Sequence, residues 1–155
     1  MQRRHTLTKA TVTVDLGKVR DNADRVVSCL PGIDVVAVTK VTCGSPEVGA
    51  AMLAGGAVAL GDSRLENAER LRAAGLTAPI WLLRAPAPDL ADETVRRTEI
   101  SLESELETVV ALDRAGGRQS RRHGIVAMVD LSSRGGGPER PQRTPALLWR
   151  SRGRC

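Results

Sequence analysis

The sequence predicts an α/β fold in which short parallel strands alternate with amphipathic helices, and three observations carry that prediction. Short apolar runs open at residues 33, 57, 79, 99 and 124, at intervals of 24, 22, 20 and 25 residues. Helical periodicity follows each of the first four runs, with Gly or Pro at the junctions. Repeated β-then-α at this period requires right-handed crossovers, which make the strands parallel.

Taken in order, Thr11–Val14 alternates and reads as a short strand, and Asp15 then caps a helix reaching about Leu30. Ile33–Lys40 (IDVVAVTK) is a nearly continuous β-branched run, as expected of a strand covered on both faces. Ser45-Pro46-Glu47 places a cap, a first-turn proline and an early carboxylate at a helix start, and Gly55-Gly56 ends that helix. Ala57–Gly61 is the second strand. Ser63–Glu66 has capping-box spacing and opens a helix to Gly75. Pro79–Leu83 is the third strand, with a Pro-rich turn and a helix through about Arg97. Glu99–Leu102 is the fourth, and Ser104–Glu107 a second capping box before a helix to Gly116-Gly117. Gly124–Asp130 is the fifth strand.

Two architectures share this cadence, a doubly wound open sheet and part of a (β/α)8 barrel. Every helix entry uses a Ser or Asp cap, and neither GxGxxG nor GxxxxGK[ST] follows any strand. The balance favours a partial TIM-like (β/α)8 barrel with about five βα units, preceded by a short strand and a helix.

The formal net charge of +5 suggests a polyanion partner, but its distribution argues otherwise. Residues 1–9 carry three basic side chains and no acidic one, and residues 134–155 carry six Arg against one Glu. The body, 10–133, is mildly acidic, with 14 Lys/Arg against 17 Asp/Glu. With no Phe and no Tyr, the stacking platforms of single-stranded nucleic-acid binders are missing, so no nucleic-acid partner is expected. Cys29, Cys43 and Cys155 have no CxxC spacing, so neither a disulfide framework nor a metal site is suggested. No apolar run reaches membrane-spanning length, and no apolar stretch follows the N-terminal arginines. A soluble cytoplasmic protein without membrane partners is expected. The domain reading is a basic arm over 1–10, the α/β body over 11–133, and an irregular Arg/Pro/Gly-rich tail over 134–155.

Lys40 stands out chemically. It is one of three lysines beside 20 arginines, and it ends a buried strand just before a loop. On a parallel β/α scaffold that end is the catalytic face, and a lysine there is a candidate for Schiff-base chemistry. The plainer reading of the position alone is a solvated strand-end lysine.

Asp15-Leu16 with its helix, VVAVTKVTCG (35–44) and LGDSRLENAERLRAAGL (60–76) resemble the N-terminal part of the alanine-racemase-type barrel, fold type III of the PLP enzymes. WLLRAP (81–86), SLESELET (101–108) and VAMVDL (126–131) bring the resemblance nearer to ornithine-racemase-like amino-acid racemases, over about 11 to 133. It implies an isomerase with pyridoxal 5′-phosphate (PLP) as cofactor, a small amino acid as substrate and a homodimer for the full-length family. Lys40 would form the Schiff base with PLP and act as one of two proton-transfer bases. In alanine racemases the second base is usually a tyrosine of the partner subunit, and this chain has no tyrosine. Cys43, three residues on, is a candidate base or cofactor contact, with a small buried loop residue as the plainer reading. Asp62, also a cofactor-binding candidate, could orient Lys40 or pair with a neighbour, while Ser63 reads as a helix cap. Arg84 could meet the cofactor's O3′ or a substrate carboxylate, or form a structural ion pair. Asp130 ends the fifth strand on the same face and is a further cofactor-binding candidate. His123, at the opposite end of its strand, reads as structural.

The family continues from the Asp through a glycine to an arginine. Here Ser132 replaces the glycine, Arg134 comes one residue early, and the β/α pattern stops. A truncated or frame-shifted racemase is therefore expected, and translation of the coding DNA in its other two frames tests this. The alternatives are a non-catalytic PLP-binding protein of the vitamin B6 homeostasis kind and an inactive fragment.

Overall fold

The computed structural model describes residues 12–128. Five helices and five strands alternate: α1 (Leu16–Ser28), β1 (Val36–Val38), α2 (Pro46–Ala54), β2 (Ala59–Asp62), α3 (Leu65–Ala73), β3 (Ile80–Leu82), α4 (Ala91–Arg97), β4 (Ile100–Glu103), α5 (Leu106–Gln119) and β5 (Gly124–Ala127). Single 3-10 turns, Lys40–Thr42 and Pro88–Leu90, follow β1 and precede α4.

The strands form one sheet in the order β1-β2-β3-β4-β5. The β1–β2 and β4–β5 pairs are parallel. This order separates the two architectures left by the sequence. A doubly wound sheet reverses its strand order at a switch point, whereas a barrel adds each strand beside the last. No reversal occurs among these five strands, and the fold is a partial (β/α)8-type barrel.

The chain divides into two compact units, one ending at Trp81 and one beginning at Leu82. In the first, Leu60, Ala68, Leu71 and Ile80 form a buried cluster joined by Ala37, Met52, Leu53 and Leu76. A fully buried leucine contributes on the order of 2–3 kcal/mol, so Leu60 and Leu71 anchor α3 to β2. Helices α1 and α2 meet closely at Gly55, where a Cβ would land on the Arg20 carbonyl and lie 2.6 Å from Ala23 Cβ. In the second unit Ala91, Val95, Leu112 and Ala115 form the buried cluster, with Ala111 and Ile125 packed against it.

Two predicted caps are realised: Asp15 accepts from the Lys18 N–H, and Ser45 from the Val48 N–H. Four local expectations are corrected. Val12–Val14 forms no strand; Val12 is 88% exposed, and no described strand lies beside it to supply ladder bonds. Ser63 does not cap α3, whose N-cap is Arg64 without a side-chain bond. Ser104 is not the cap of α5, whose N-cap is Glu105 without a side-chain bond. Helix α5 also runs past Gly116-Gly117 and ends at Ser120 in a left-handed conformation. Gly116 is needed inside that last turn, since a Cβ there would come within 2.8 Å of the Arg121 carbonyl. The arm over 1–10, Thr11, Asp130, Arg134 and the tail over 134–155 lie outside the described residues.

Candidate active-site lysine and the loop that carries it

The register of β1 and β2 determines which side chains meet at their carboxyl ends. Val36, Ala37 and Val38 pair with Ala59, Leu60 and Gly61. Ala37 and Leu60 both join the cluster that packs on α3, so this face of the two strands looks toward the helices. Thr39 and Asp62 stand two residues further along and share that face. Lys40 opens the 3-10 turn that follows, and its side chain is exposed.

Beneath Lys40 the two helix-facing residues lock together. Thr39 Oγ1 donates to Asp62 Oδ2 at 2.8 Å and lies 3.3 Å from the Gly61 carbonyl. Asp62 Oδ1 accepts from Asn67 Nδ2 at 2.9 Å and from the Arg64 N–H at 3.1 Å. Thr39 is 0% and Asp62 1% exposed, so this carboxylate is buried with three donors, as a buried charge requires.

The loop above is equally tied. The Thr39 carbonyl accepts from the N–H groups of Thr42 and Gly44 and from Thr42 Oγ1. Cys43 and Gly44 both have positive φ, 52° and 65°, which turns the chain sharply into α2. Gly44 sits so tightly on α3 that an added Cβ would lie 2.6 Å from Asn67 Cβ and 3.0 Å from its Cα. Arg70 Nη1 donates to the Cys43 carbonyl. The loop is therefore held at Thr39 by Asp62 and at Cys43–Gly44 by Asn67 and Arg70.

The Lys40 carbonyl accepts from the Cys43 N–H, but among the described residues its side-chain amine makes no hydrogen bond or ion pair. A rigid loop presenting an unengaged amine at the carboxyl end of a barrel strand suits covalent attachment of a carbonyl-bearing cofactor. Cys43 is also exposed, against the expectation of a small buried loop residue. Asp62 spends its oxygens on Thr39, Asn67 and Arg64, so its described contacts are to the loop foundation and not to the Lys40 amine.

Arg84 belongs to the second unit, lies two residues past β3, and is exposed. It makes no hydrogen bond or ion pair among the described residues, so the structural ion pair considered for it does not form there.

That unit holds a buried polar group that the sequence did not single out. Ser101 Oγ lies 2.6 Å from Glu103 Oε1 and 2.8 Å from His123 Nε2. One hydroxyl proton cannot serve both bonds. With a carboxylate on one side, Ser101 donates to Glu103 and accepts from a protonated Nε2. This polarity is the reverse of a nucleophile–base pair, in which serine donates to histidine. Burial raises the Glu103 carboxyl above its usual range, against the Ser101 hydroxyl, which lowers it. Burial lowers the His123 imidazole, opposed by the Thr98 backbone and the Glu99 charge and reinforced by Arg121.

Thr39, Asn67 and Arg70 were missed at the sequence level. The signal for Asn67 lay in its spacing: five residues after a strand-end Asp, it falls in the first turn of the next helix and returns toward that carboxylate.

A sequentially wound parallel β/α sheet with a lysine two residues beyond its first strand defines a class of lysine-bearing barrels. Residues 14–152 match the family described as alanine racemase, N-terminal domain, and the chain belongs to that family. A lysine racemase from Thermotoga maritima is 31% identical over 120 residues, covering 76% of this chain and 34% of the relative. An ornithine racemase from Acetoanaerobium sticklandii is 30% identical over 122 residues, covering 77% and 34%. The chain thus spans about a third of the length of these relatives. Among solved structures, PipY from Synechococcus elongatus, a COG0325 family member described with PLP bound, superposes with a TM-score of 0.66 at 19% identity. That match covers 74% of this chain and 56% of PipY, and shows the shared fold.

Proposed function

We propose that this chain is the lysine-bearing part of a PLP-dependent amino-acid racemase of the ornithine, lysine and alanine racemase kind. One observation carries the reading: the unengaged Lys40 amine stands on a hydrogen-bonded loop at the carboxyl end of β1. PLP bound there supplies an electron sink that makes the α-proton of an attached amino acid acidic. The lysine then has two tasks of its own. Its Nζ holds the cofactor in the absence of substrate, and once released it carries a proton to or from one face of the α-carbon. The loop anchored by Asp62 and Asn67 sets where that nitrogen starts from. Cys43 is placed three residues away with its side chain exposed, and stands as a candidate second proton carrier or cofactor contact. Arg84 and Asp130 remain candidates for cofactor or substrate anions and polar groups. The substrate is a small amino acid, and a homodimer is the expected assembly of the complete protein.

A second reading has its own observation. The 155 residues contain no tyrosine, the usual base for the opposite face, so a chain that holds PLP without turnover is the alternative. One experiment separates them. The protein is incubated with PLP and offered L-ornithine, L-lysine and L-alanine, and the enantiomers are resolved by chiral chromatography, with Lys40→Ala as control. Turnover that is lost in Lys40→Ala supports the racemase, whereas an adduct on Lys40 without turnover supports PLP binding alone.

A further inference from the structure

We propose that Asp62, Asn67 and Thr39 are positioning residues for Lys40, forming a buried clamp that fixes the backbone from which the lysine reaches PLP. This rests on the reading of Lys40 as the attachment point. The clamp ties three elements that are distant in sequence. Asp62 at the end of β2 receives Thr39 at the end of β1 through Oδ2, and the first turn of α3 through Oδ1. Asn67 then supports the far side of the lysine loop, because Gly44 packs directly on its Cα and Cβ. Lys40 lies between the two supports, one residue after Thr39 and four before Gly44. Its own side chain has no partner to hold it among the described residues, so its placement depends on that of its backbone.

The chemistry of the clamp distinguishes shape from charge. In Asp62→Asn, Oδ1 can still accept from Asn67 and Arg64, and the new amide can donate to Thr39 Oγ1. The threonine proton is then free to turn to the Gly61 carbonyl, already 3.3 Å away. Asp62→Asn therefore conserves the clamp. Asp62→Ala removes all three bonds, and Thr39→Val removes the one that reaches β1.

The experiment measures the rate of PLP attachment to Lys40 in the full chain. Attachment condenses the amine with the PLP aldehyde and releases one water; borohydride reduces the resulting C=N bond to a stable amine located by peptide mapping. Acetylation of Lys40 and of exposed Lys18 by dilute acetic anhydride, without PLP, reports the intrinsic reactivity of the two amines. We expect Thr39→Val and Asp62→Ala to slow attachment about tenfold or more, as misplacing a reacting group does. Asp62→Asn should stay within about threefold of wild type. The Lys40 to Lys18 acetylation ratio should hold in every variant, because a small reagent does not require the loop geometry. Equal attachment rates in wild type, Thr39→Val and Asp62→Ala would overturn the proposal while leaving Lys40 as the attachment site. Loss of attachment in Asp62→Asn equal to that in Asp62→Ala would overturn the clamp in favour of a charge effect. Absence of attachment in folded wild type would instead remove the parent reading. If Asp62→Ala does not fold, the contrast between Thr39→Val and Asp62→Asn decides alone.

Discussion

Replacing Gly44 by alanine isolates the contact between the lysine loop and α3. Gly44 has φ +65°, a region that costs an L-residue about 1–2 kcal/mol. The new Cβ would also stand 2.6 Å from Asn67 Cβ and 3.0 Å from Asn67 Cα, and the latter is helix backbone that cannot rotate away. Overpacking of this kind costs about 1–3 kcal/mol, so the expected loss is about 2–5 kcal/mol. Gly75 provides the internal reference. Its φ is +83°, yet a Cβ there meets nothing within 4 Å, so Gly75→Ala should carry only the conformational cost of about 1–2 kcal/mol. Urea unfolding followed by far-ultraviolet circular dichroism measures both variants against wild type. Gly44→Ala should be the more destabilised by at least about 1 kcal/mol, that difference being the steric part. Two variants agreeing within about 0.5 kcal/mol would refute the packing of Gly44 on Asn67 and with it the support of the lysine loop.

Other perturbations test separate parts of the structure. Gly55→Ala should destabilise by about 2–4 kcal/mol, because α1 must retreat from a Cβ that would meet the Arg20 carbonyl and Ala23; native-state hydrogen exchange should show α1 opening first. Ser101→Ala strands Glu103 Oε1 and His123 Nε2 together, for about 2–4 kcal/mol in a denaturation experiment. Stability should also depend on pH through these two groups. His123 is lowered by burial, so between its folded value and the unfolded value near 6.5 the unfolded chain binds more protons, and stability falls as pH drops through that window. Glu103 is raised from 4.5, so above that value the folded chain binds more protons, and stability falls as pH rises toward its folded value. His123→Gln should flatten the first slope and Glu103→Gln the second in urea midpoints measured from pH 4 to 8; unchanged slopes would contradict the assignment.

Much of this architecture was legible because its signals are local. The Asp15 and Ser45 caps each close a bond within three residues, and the β/α period needs no distant partner to be seen. Ser63 and Ser104 show the limit of the same logic: capping-box spacing is present, but each helix has the next residue, Arg64 or Glu105, as its N-cap, with no side-chain bond. Gly116-Gly117 misleads for a related reason, since Gly116 answers to the close approach of the Arg121 carbonyl and not to the helix end. The lysine was readable from its rarity and its place at the end of an apolar run, although β1 is only half-buried. Its foundation was not, because Thr39 and Asp62 are 23 residues apart and meet only through the β1–β2 register. Ser101 and His123, 22 residues apart, were hidden by the same kind of separation. Barrel winding itself rests on strand order, a property of the assembled sheet that caps and missing glycine loops only hint at.

The most direct test of the account is the site of covalent PLP attachment in the folded chain. Protein incubated with PLP, reduced with borohydride and mapped by peptide mass spectrometry should carry the pyridoxyl group on Lys40. Lys40→Arg should lose it while remaining folded. Label confined to Lys9 or Lys18, or no label on folded wild-type protein, would contradict the assignment of Lys40 as the cofactor lysine.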